Sequence, residues 1–459
     1  KNQHFKDKML FFKAWLSLGG SWHWRHKMKP PIVYMSTSSL LEPATWFDDS
    51  TKWTRLGAAV LPFWVADMDF KAAEPIQSAV CRRAATGSYG YATPSLKLKE
   101  AIIANCRECW NAESCDPKWI RFHPGLICGL YQAVRLAQGG GVIVPVPIYP
   151  PFLNAARDTA SAIRLVDVSK EDSIFKNIEK AVCELKAQGQ NQIVILWCSP
   201  HNPTGRVWRR SELEHLANIV RRHADEITAV CSDEVWSGLV FDDTKTPFVS
   251  LAELAFSANY TDLLDRLVIL TSPSKTYNVA ALDFAFAVIP NDSLRRRYFR
   301  VGRDQAECTP LGLAAAEAIL VNDQHNSSEC RRRDILTPHN GKCEPWRREL
   351  VQFLQANRDY TIDFIHNHCA PDVYVAAIPE ASYLIWLDCN GLGLSNPAAY
   401  FRDQFYLGLS DGDPFFGKVQ SGFCRFNFAC PRPVLEDGLS RLAAAVESVR
   451  SQRREKSLQ

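Results

Sequence analysis

The sequence contains no hydrophobic run long enough to cross a membrane. Its apolar N-terminal stretch, residues 9–18, is interrupted by Lys13 and ended by Gly19 and Gly20. A membrane-spanning helix needs about 20 apolar residues, and no clear small-residue cleavage site follows that would indicate a secretory signal. We therefore expect no membrane association, a cytoplasmic location, and an extension of unknown role over residues 1–34.

An excess of charge of one sign is also lacking. Basic side chains number 53 and acidic ones 50, which gives a formal net charge of +3, and no long basic run occurs. Proteins that bind nucleic acid usually carry a basic patch or stripe that attracts the phosphates. The sequence therefore gives no reason to expect nucleic acid as a partner.

The spacing of a metal site is missing as well, although the chain has 15 cysteines. Cys106 and Cys109 form a C-x-x-C pair, but no second pair or histidine cluster completes a zinc site around it. The other cysteines are scattered, often inside apolar runs. We expect reduced thiols in a cytoplasmic protein and no metal, while a redox role for the pair stays open.

What the sequence does contain is an alternation of strand and helix patterns from about residue 95 to residue 330. Short apolar runs, most of them rich in β-branched residues, alternate with longer amphipathic stretches such as residues 211–223. This alternation predicts an open, mainly parallel α/β sheet sandwiched by helices. The predicted strands are residues 141–144, 193–198, 227–231, 267–271 and 284–289.

A different pattern begins after residue 340 and predicts a smaller α+β domain. A helix candidate at residues 346–357 precedes strand candidates at 373–378, 383–388 and 423–428. A chain of 459 residues suits one large and one small domain. We assign residues 86–334 to the large domain and residues 35–85 and 335–459 to the small one, with a polar, exposed insertion at about residues 322–342.

Three segments that directly follow predicted strands carry groups suited to catalysis. Lys275 follows residues 267–271 and would be a usable amine nucleophile if burial lowers its pKa. Asp233 can pair with a pyridinium nitrogen, or it can simply cap a helix. Asn202 lies in the rigid turn SPHNPTGR, from which it can donate to a phenolate oxygen. Since ligands of such sheets sit at the carboxyl ends of the strands, we expect these residues to share one site.

With these segments in place, the chain resembles the fold-type I pyridoxal-phosphate enzymes of aminotransferase class I/II over about residues 45–450. It looks most like their cystathionine β-lyase and cysteine-S-conjugate β-lyase branch. The marker of that branch is FWVADMDF at residues 63–70, and similar segments are SYGY at 88–91, SPSKTYN at 272–278 and FCRFNFACPR at 423–432. The resemblance implies a pyridoxal 5′-phosphate cofactor, a small amino-acid substrate and a homodimer with a shared active site.

The same resemblance implies roles for residues around the cofactor ring. Lys275 would bind the cofactor as a Schiff base and later move the Cα proton. Asp233 would pair with the pyridine nitrogen, Asn202 would contact the ring oxygen, and Tyr149 would stack on the ring. Trp236 stands where many aminotransferases have a tyrosine that bonds the ring oxygen, and an indole can donate one hydrogen bond but accept none.

Other roles concern the phosphate and the substrate. Ser272 and the backbone amides around Ile127 and Cys128 would hold the phosphate, with the amides at the start of a helix. Tyr91 would reach that phosphate from the partner subunit. Arg425 would clamp the substrate α-carboxylate in a bidentate pair, unless it is one end of a structural ion pair.

Two reactions fit this set of residues, because one scaffold hosts both. We favour a carbon–sulfur β-lyase that cleaves cysteine S-conjugates or cystathionine to a thiol, pyruvate and ammonia, and a specialised lyase of secondary metabolism is one form of this interpretation. Residues 63–70 favour it, as does Asp283, which stands where many aminotransferases have a phosphate-binding arginine that the lyase branch commonly lacks. The alternatives are an aminotransferase of class I/II and a non-catalytic regulatory protein that binds the cofactor.

Overall fold

The computed structural model of the protein describes residues 40–44, 49–160, 162–169, 173–257, 260–322, 334–338, 341–417 and 421–458. The predicted extension, residues 1–34, lies outside this part of the chain, as do residues 323–333 of the predicted insertion. No helix within the described ranges is both long enough and apolar enough to cross a membrane.

A seven-stranded sheet forms the centre of the fold, in the order β2-β8-β7-β6-β5-β3-β4. Six of its strands run parallel and β8 runs antiparallel to both of its neighbours. With β1 at Leu61–Pro62, the strands of this sheet are β2 (Ile120–His123), β3 (Gly141–Val146), β4 (Ala162–Asp167), β5 (Ile193–Cys198), β6 (Ile227–Asp233), β7 (Leu267–Thr271) and β8 (Ala285–Val288).

Burial on both faces explains why these strands read as continuous apolar runs. Every residue of β3, β5, β7 and β8 is buried. The five predicted strands are therefore confirmed, and so is the prediction that the sheet is mainly parallel. The run at residues 284–289 becomes the one antiparallel strand of the sheet.

Helices cover the sheet and fill the connections between its strands. The predicted helix at residues 211–223 is confirmed as α7, whose Glu212 accepts from the backbone amide of Arg209 at 2.8 Å and fixes the helix start. The helices up to residue 320 are α1 (Thr51–Thr54), α2 (Glu74–Ala85), α3 (Leu96–Trp110), α4 (Leu126–Val134), α5 (Pro150–Thr159), α6 (Ile174–Ala187), α7 (Arg210–Arg222), α8 (Leu251–Phe256), α9 (Thr261–Leu264), α10 (Asp292–Val301) and α11 (Pro310–Leu320).

A smaller, antiparallel sheet follows in the C-terminal part, in the order β12-β13-β10-β9, and β1 pairs separately with β11. The predicted α+β pattern is thereby confirmed, while the domain boundaries at residues 85/86 and 334/335 stay a prediction. The elements of this part are α12 (Glu344–His368), β9 (Tyr374–Ala377), β10 (Leu384–Asp388), α13 (Pro397–Phe405), β11 (Leu407–Gly408), β12 (Ser410–Asp411), α14 (Asp413–Phe416), β13 (Phe423–Asn427) and α15 (Arg432–Ser457).

The prediction of an exposed insertion at residues 322–342 is wrong for residues 334–337. Ile335 and Leu336 are 4% and 0% exposed, and Asn105 of α3 donates from Nδ2 to the carbonyl of Ile335 at 3.1 Å. Asp334 accepts from the backbone amide of Leu336 and from the hydroxyl of Thr337. The apolar pair explains the burial, because removing it from water outweighs the polarity of its neighbours in sequence.

Candidate active site

The carboxyl ends of β5, β6 and β7 form one edge of the central sheet, because these three strands are parallel neighbours. The turn that contains Asn202 follows β5, Asp233 is the last residue of β6, and Lys275 comes four residues after β7. This edge is where ligands bind in open α/β sheets. The topology of the sheet alone thus brings the predicted residues to the same edge, at the carboxyl ends of these strands.

Lys275 is a partly buried amine held by a backbone carbonyl. Its Nζ donates to the oxygen of Ala66 at 2.8 Å. The pKa of Lys275 is lowered to about 8: desolvation by burial is the main cause and the charge of Arg425 adds to it, while Asp67 and Asp233 act in the opposite direction. A lysine of this kind carries a substantial fraction of neutral, nucleophilic amine near neutral pH, unlike an exposed one.

Asp233 is a buried carboxyl at the end of β6, 2% exposed. Its Oδ1 accepts from the backbone amide of Val235 at 3.1 Å, and within the described part of the chain its carboxylate forms no ion pair. Desolvation raises the pKa of Asp233 to about 7, against the opposing effects of the Val235 amide and of Lys275. The N-cap position of the short 3₁₀ turn that follows is Trp236 and not Asp233, so the helix-cap interpretation does not hold.

Arg425 is a buried guanidinium whose hydrogen bonds go to uncharged oxygens. Its Nη1 donates to Oδ1 of Asn202 at 3.2 Å and its Nη2 to the carbonyl of Trp64 at 2.9 Å, while Nε has no hydrogen-bond partner among the residues that the structure describes. Its Cζ lies 5.0 Å from the centre of the Phe415 ring. Burial lowers the pKa of Arg425 to about 10. Among the residues described, no carboxylate pairs with it, which contradicts the structural ion pair and leaves a cationic fork available to an anion.

Three further predicted residues lie around this cluster. Asn202 is 5% exposed and faces Arg425 through the hydrogen bond just given. Tyr149 immediately precedes α5; burial raises the pKa of its phenol, with Arg425 lowering it and Asp233 raising it. Trp236 is 1% exposed and packs edge-on against Tyr383, with ring centres 4.9 Å apart.

The predicted phosphate-binding amides lie at the start of a helix, as the sequence indicates. Helix α4 begins at Leu126, so the amides of Ile127 and Cys128 belong to its first turn, where backbone N–H groups have no partner within the helix. The helix dipole favours an anion at that point. Gly129 continues the turn, and a Cβ there would come within 2.5 Å of Cδ1 of Leu270.

Ser272 differs from the prediction in its hydrogen bonds. Its hydroxyl donates to the carbonyl of Phe284 at 2.6 Å and accepts from the amide of Ser274 at 3.1 Å. The single hydroxyl proton is therefore already used within the chain. Ser272 fixes the turn that carries Lys275 in this structure, and its contact with a phosphate stays a prediction.

Tyr91 is not brought to the site within its own chain. Its side chain is fully exposed, and Tyr89 in the same segment is 61% exposed. Large exposed aromatic side chains of this kind are typical of residues that contact another molecule. The location of Tyr91 is compatible with a role across a subunit boundary.

Sequence reasoning missed two groups at this site, the backbone of residues 63–70 and the side chain of Tyr383. The carbonyl of Ala66 accepts from Lys275 at 2.8 Å and from the hydroxyl of Tyr383 at 2.9 Å, and that of Trp64 accepts from Arg425. In the sequence the segment is only a family marker, since backbone oxygens leave no trace there. Tyr383 is the first residue of the strand predicted at residues 383–388.

Comparison with known proteins gives consistent matches. The family model described as aminotransferase class I and II matches residues 89–441. Cystathionine beta-lyase PatB of Bacillus subtilis (strain 168) is 32% identical, over 86% of this chain and 96% of its own length. The crystal structure of OvoB is 32% identical with a TM-score of 0.73, covering 88% of this chain and 98% of OvoB. That of cystalysin from Treponema denticola, which contains a pyridoxal 5′-phosphate cofactor, is 25% identical with a TM-score of 0.72, covering 87% and 96%.

Proposed function

Because the chain belongs to the aminotransferase class I and II family, we propose that it is a pyridoxal-5′-phosphate-dependent carbon–sulfur β-lyase. Its substrates would be cysteine S-conjugates or cystathionine, cleaved to a thiol, pyruvate and ammonia. The observation that carries the proposal is the cluster of Lys275, Asp233 and Arg425, in which the charges of Asp233 and Arg425 act on a partly neutral amine. Within the described residues, neither that carboxylate nor that guanidinium forms an ion pair. The likeness to a cystathionine β-lyase supports cleavage over amino transfer.

The residues present fit the proposed cofactor. The buried carboxyl of Asp233 has a raised pKa, and a cationic ring nitrogen would supply the partner that it lacks among the described residues. The first-turn amides of α4 would satisfy a phosphate, and the amine of Lys275 would react with an aldehyde. Asn202 and Tyr149 would contact the ring, and Trp236 would line it.

When bound, pyridoxal phosphate supplies an electron-withdrawing protonated ring that makes the Cα–H bond of an amino acid acidic. The chain's own residues supply the rest. Arg425 would bind the α-carboxylate of the substrate through its two Nη atoms, whose partners in the described part of the chain are neutral oxygens. The low pKa of Lys275 lets its amine accept the Cα proton near neutral pH.

The lyase reaction requires a leaving group on the β-carbon. Once the Cα proton is on Lys275, the electron pair of the Cα–H bond forms a Cα–Cβ double bond and the Cβ–S bond breaks. The sulfur leaves as a thiolate and is protonated, and the remaining aminoacrylate is hydrolysed to pyruvate and ammonia. In the alternative, transamination, Lys275 would give up the proton without loss of the β-substituent, and the amino group would pass to a keto acid with no carbon–sulfur bond broken.

A panel of S-substituted cysteines tests this proposal directly. We expect each turnover of the purified protein to release equal amounts of thiol and pyruvate, without any added keto acid. Analogues in which a methylene replaces the sulfur are the matched control, and they should release no pyruvate. Amino transfer that depends on a keto acid, with no thiol, would establish the aminotransferase. Cofactor binding without turnover of any amino acid would establish the non-catalytic alternative.

A homodimer with shared active sites is part of the proposal. Exposed apolar residues cluster in sequence around Tyr91, and Leu96 and Ile127 are 65% and 43% exposed. Ile127 belongs to the helix turn expected to bind the phosphate. A second copy of the chain would cover these side chains and place its Tyr91 at that turn.

Complementation between two inactive variants tests the sharing. Chains with Tyr91→Ala and chains with Lys275→Ala should each be nearly inactive alone. Co-expressed, they should regain about a quarter of wild-type activity, since half of the dimers are mixed and each mixed dimer contains one intact site. If Tyr91 acts within its own chain, the mixture stays inactive.

A reducing, cytoplasmic setting and a place in secondary metabolism also belong to the proposal. No disulfide joins the cysteines that the structure describes, most of which are buried, and Cys106 and Cys109 lie on helix α3. Free thiols in this number suit a compartment in which disulfides do not form.

A further inference from the structure

Tyr383 is held in place through its ring, its hydroxyl and its backbone carbonyl. Its side chain is fully buried, its ring packs edge-on against Trp236, and its backbone carbonyl accepts from the amide of Phe428 at 3.0 Å. The hydroxyl donates to the carbonyl of Ala66 at 2.9 Å. The phenol is therefore fixed at both ends, by the backbone at the start of β10 and by the carbonyl of Ala66.

The residue before it has a strained backbone. Ser382 has a φ of +73°, in the left-handed region that residues other than glycine and asparagine rarely adopt. Its amide donates to the carbonyl of Leu239 at 3.1 Å, and its hydroxyl accepts from the amide of Leu384 at 3.2 Å. Such strain persists only where the surroundings enforce it, and it is concentrated at functional sites. Here it orients the residue that contacts Ala66.

The carbonyl of Ala66 has two donors and no freedom to turn. Lys275 Nζ lies 2.8 Å from this oxygen and the Tyr383 hydroxyl 2.9 Å, so both of its lone pairs are used. The flanking backbone is fixed as well: Nδ2 of Asn427 donates to the carbonyls of Val65 and Asp67 at 2.6 and 2.7 Å. The amine and the phenol thus meet at one immobile acceptor.

We propose that Tyr383 is a positioning residue for Lys275. Its hydroxyl donates to the same carbonyl of Ala66 and so limits the strength of the hydrogen bond that this carbonyl accepts from the lysine. The inference rests on the proposed function, in which Lys275 binds the cofactor and moves the Cα proton. By occupying one lone pair of the oxygen, Tyr383 weakens the hydrogen bond available to the ammonium form. The amine is thereby kept in place but remains easier to deprotonate.

The charges around the pair support this direction of effect. Lys275 faces Asp67 and Asp233, which raise its pKa, and Arg425, which lowers it. Burial keeps the pKa of Tyr383 well above its ordinary value, with Asp67 adding to the effect and Arg425 opposing it. The phenol is therefore a neutral donor at every pH at which Lys275 titrates. Without it, the oxygen of Ala66 becomes a better acceptor for the ammonium, and the pKa of Lys275 rises.

The substitution Tyr383→Phe tests the proposal, because it removes the hydroxyl and keeps the ring that packs against Trp236. In apoprotein, labelling of Lys275 by an amine-acylating reagent, followed by peptide mass spectrometry across pH, gives the pKa of the amine. We expect the midpoint to move up by about half a pH unit, a roughly threefold loss of neutral amine at pH 7. In holoprotein at pH 7, kcat should fall about threefold, with KM unchanged. The limb of the kcat–pH profile along which activity rises with pH should move to higher pH by the same half unit.

Tyr374→Phe is the matched control. The hydroxyl of Tyr374, on β9, donates to one oxygen, as that of Tyr383 does, but its acceptor is Oδ2 of Asp388 on β10, at 2.7 Å. It should leave the labelling midpoint where it is. Incorporation of 3-fluorotyrosine strengthens the phenol as a donor, so it should move the midpoint of the otherwise wild-type chain down and have no effect in the Tyr383→Phe background.

The outcomes separate this inference from the proposed function. An unchanged midpoint in Y383F and in the fluorinated wild-type chain would overturn the positioning role even if the protein proves to be a lyase. Should Y383F fail to fold, the fluorinated Tyr149→Phe chain decides: a midpoint that still moves down supports Tyr383, and one that no longer moves overturns its role. A shifted midpoint in a protein that binds no cofactor would leave the positioning role standing and remove the proposed activity.

Discussion

Replacing Lys275 with alanine should abolish turnover of every amino-acid substrate, with a loss of at least about 10³-fold in kcat. The charges of Asp233 and Arg425 both act on this amine, and its pKa of about 8 suits both covalent binding of an aldehyde and proton transfer. Removing it removes both functions together. Steady-state pyruvate release from an S-substituted cysteine measures the effect.

The loss must be separated from a general effect on the fold or on lysine content. Lys71→Ala serves as the matched control, since Lys71 forms an exposed ion pair with Glu42, and its activity should equal that of the wild type. Borohydride reduction of the cofactor-loaded wild type should fix a label at position 275, and K275A should stay unlabelled and lack the visible absorbance of bound cofactor. Full turnover by K275A would contradict the assignment.

The central sheet could be predicted because its signal is strong and local. Strands buried on both faces, such as β5 and β7, appear as unbroken apolar runs whatever their neighbours are. Strand direction has no such signal. Ala285–Val288 is as apolar as the parallel strands, and it pairs antiparallel with β7 because only a 3₁₀ turn, and no crossover α-helix, lies between the two strands. Likewise, Ile335 and Leu336 were hidden in a polar stretch whose composition outweighed two apolar residues.

The site contains two kinds of group, side chains at strand ends and groups from distant segments, and only the first kind could be predicted from the sequence. Lys275, Asp233 and Asn202 could be placed together because parallel strands end at one edge. The contacts of Arg425 with Trp64 and of Tyr383 with Ala66 join residues more than 300 positions apart. Nothing in a single sequence reports such a pairing, because backbone carbonyls carry no residue-specific signal and the pairing is set by tertiary packing.

Replacing Arg425 with lysine should weaken substrate capture far more than catalysis. Lysine keeps the positive charge but loses the planar fork that binds a carboxylate through two hydrogen bonds. Hydrogen bonds to a charged group contribute about 1.5–3 kcal/mol each, so we expect kcat/KM to fall about 100-fold, mostly through KM. Initial rates over a range of S-substituted cysteine concentrations measure both constants.

Substrates without the carboxylate give the decisive comparison. An S-substituted cysteamine should react poorly with the wild type, and Arg425→Lys should cost it almost nothing further, because the interaction is already absent. Arg432→Lys is the matched control: this arginine lies seven residues on, 4.3 Å from the Tyr360 ring centre, and should leave kcat/KM unchanged. An equal loss for both substrates would show that Arg425 acts through Asn202 and Trp64, to which it is hydrogen-bonded, and not through the substrate.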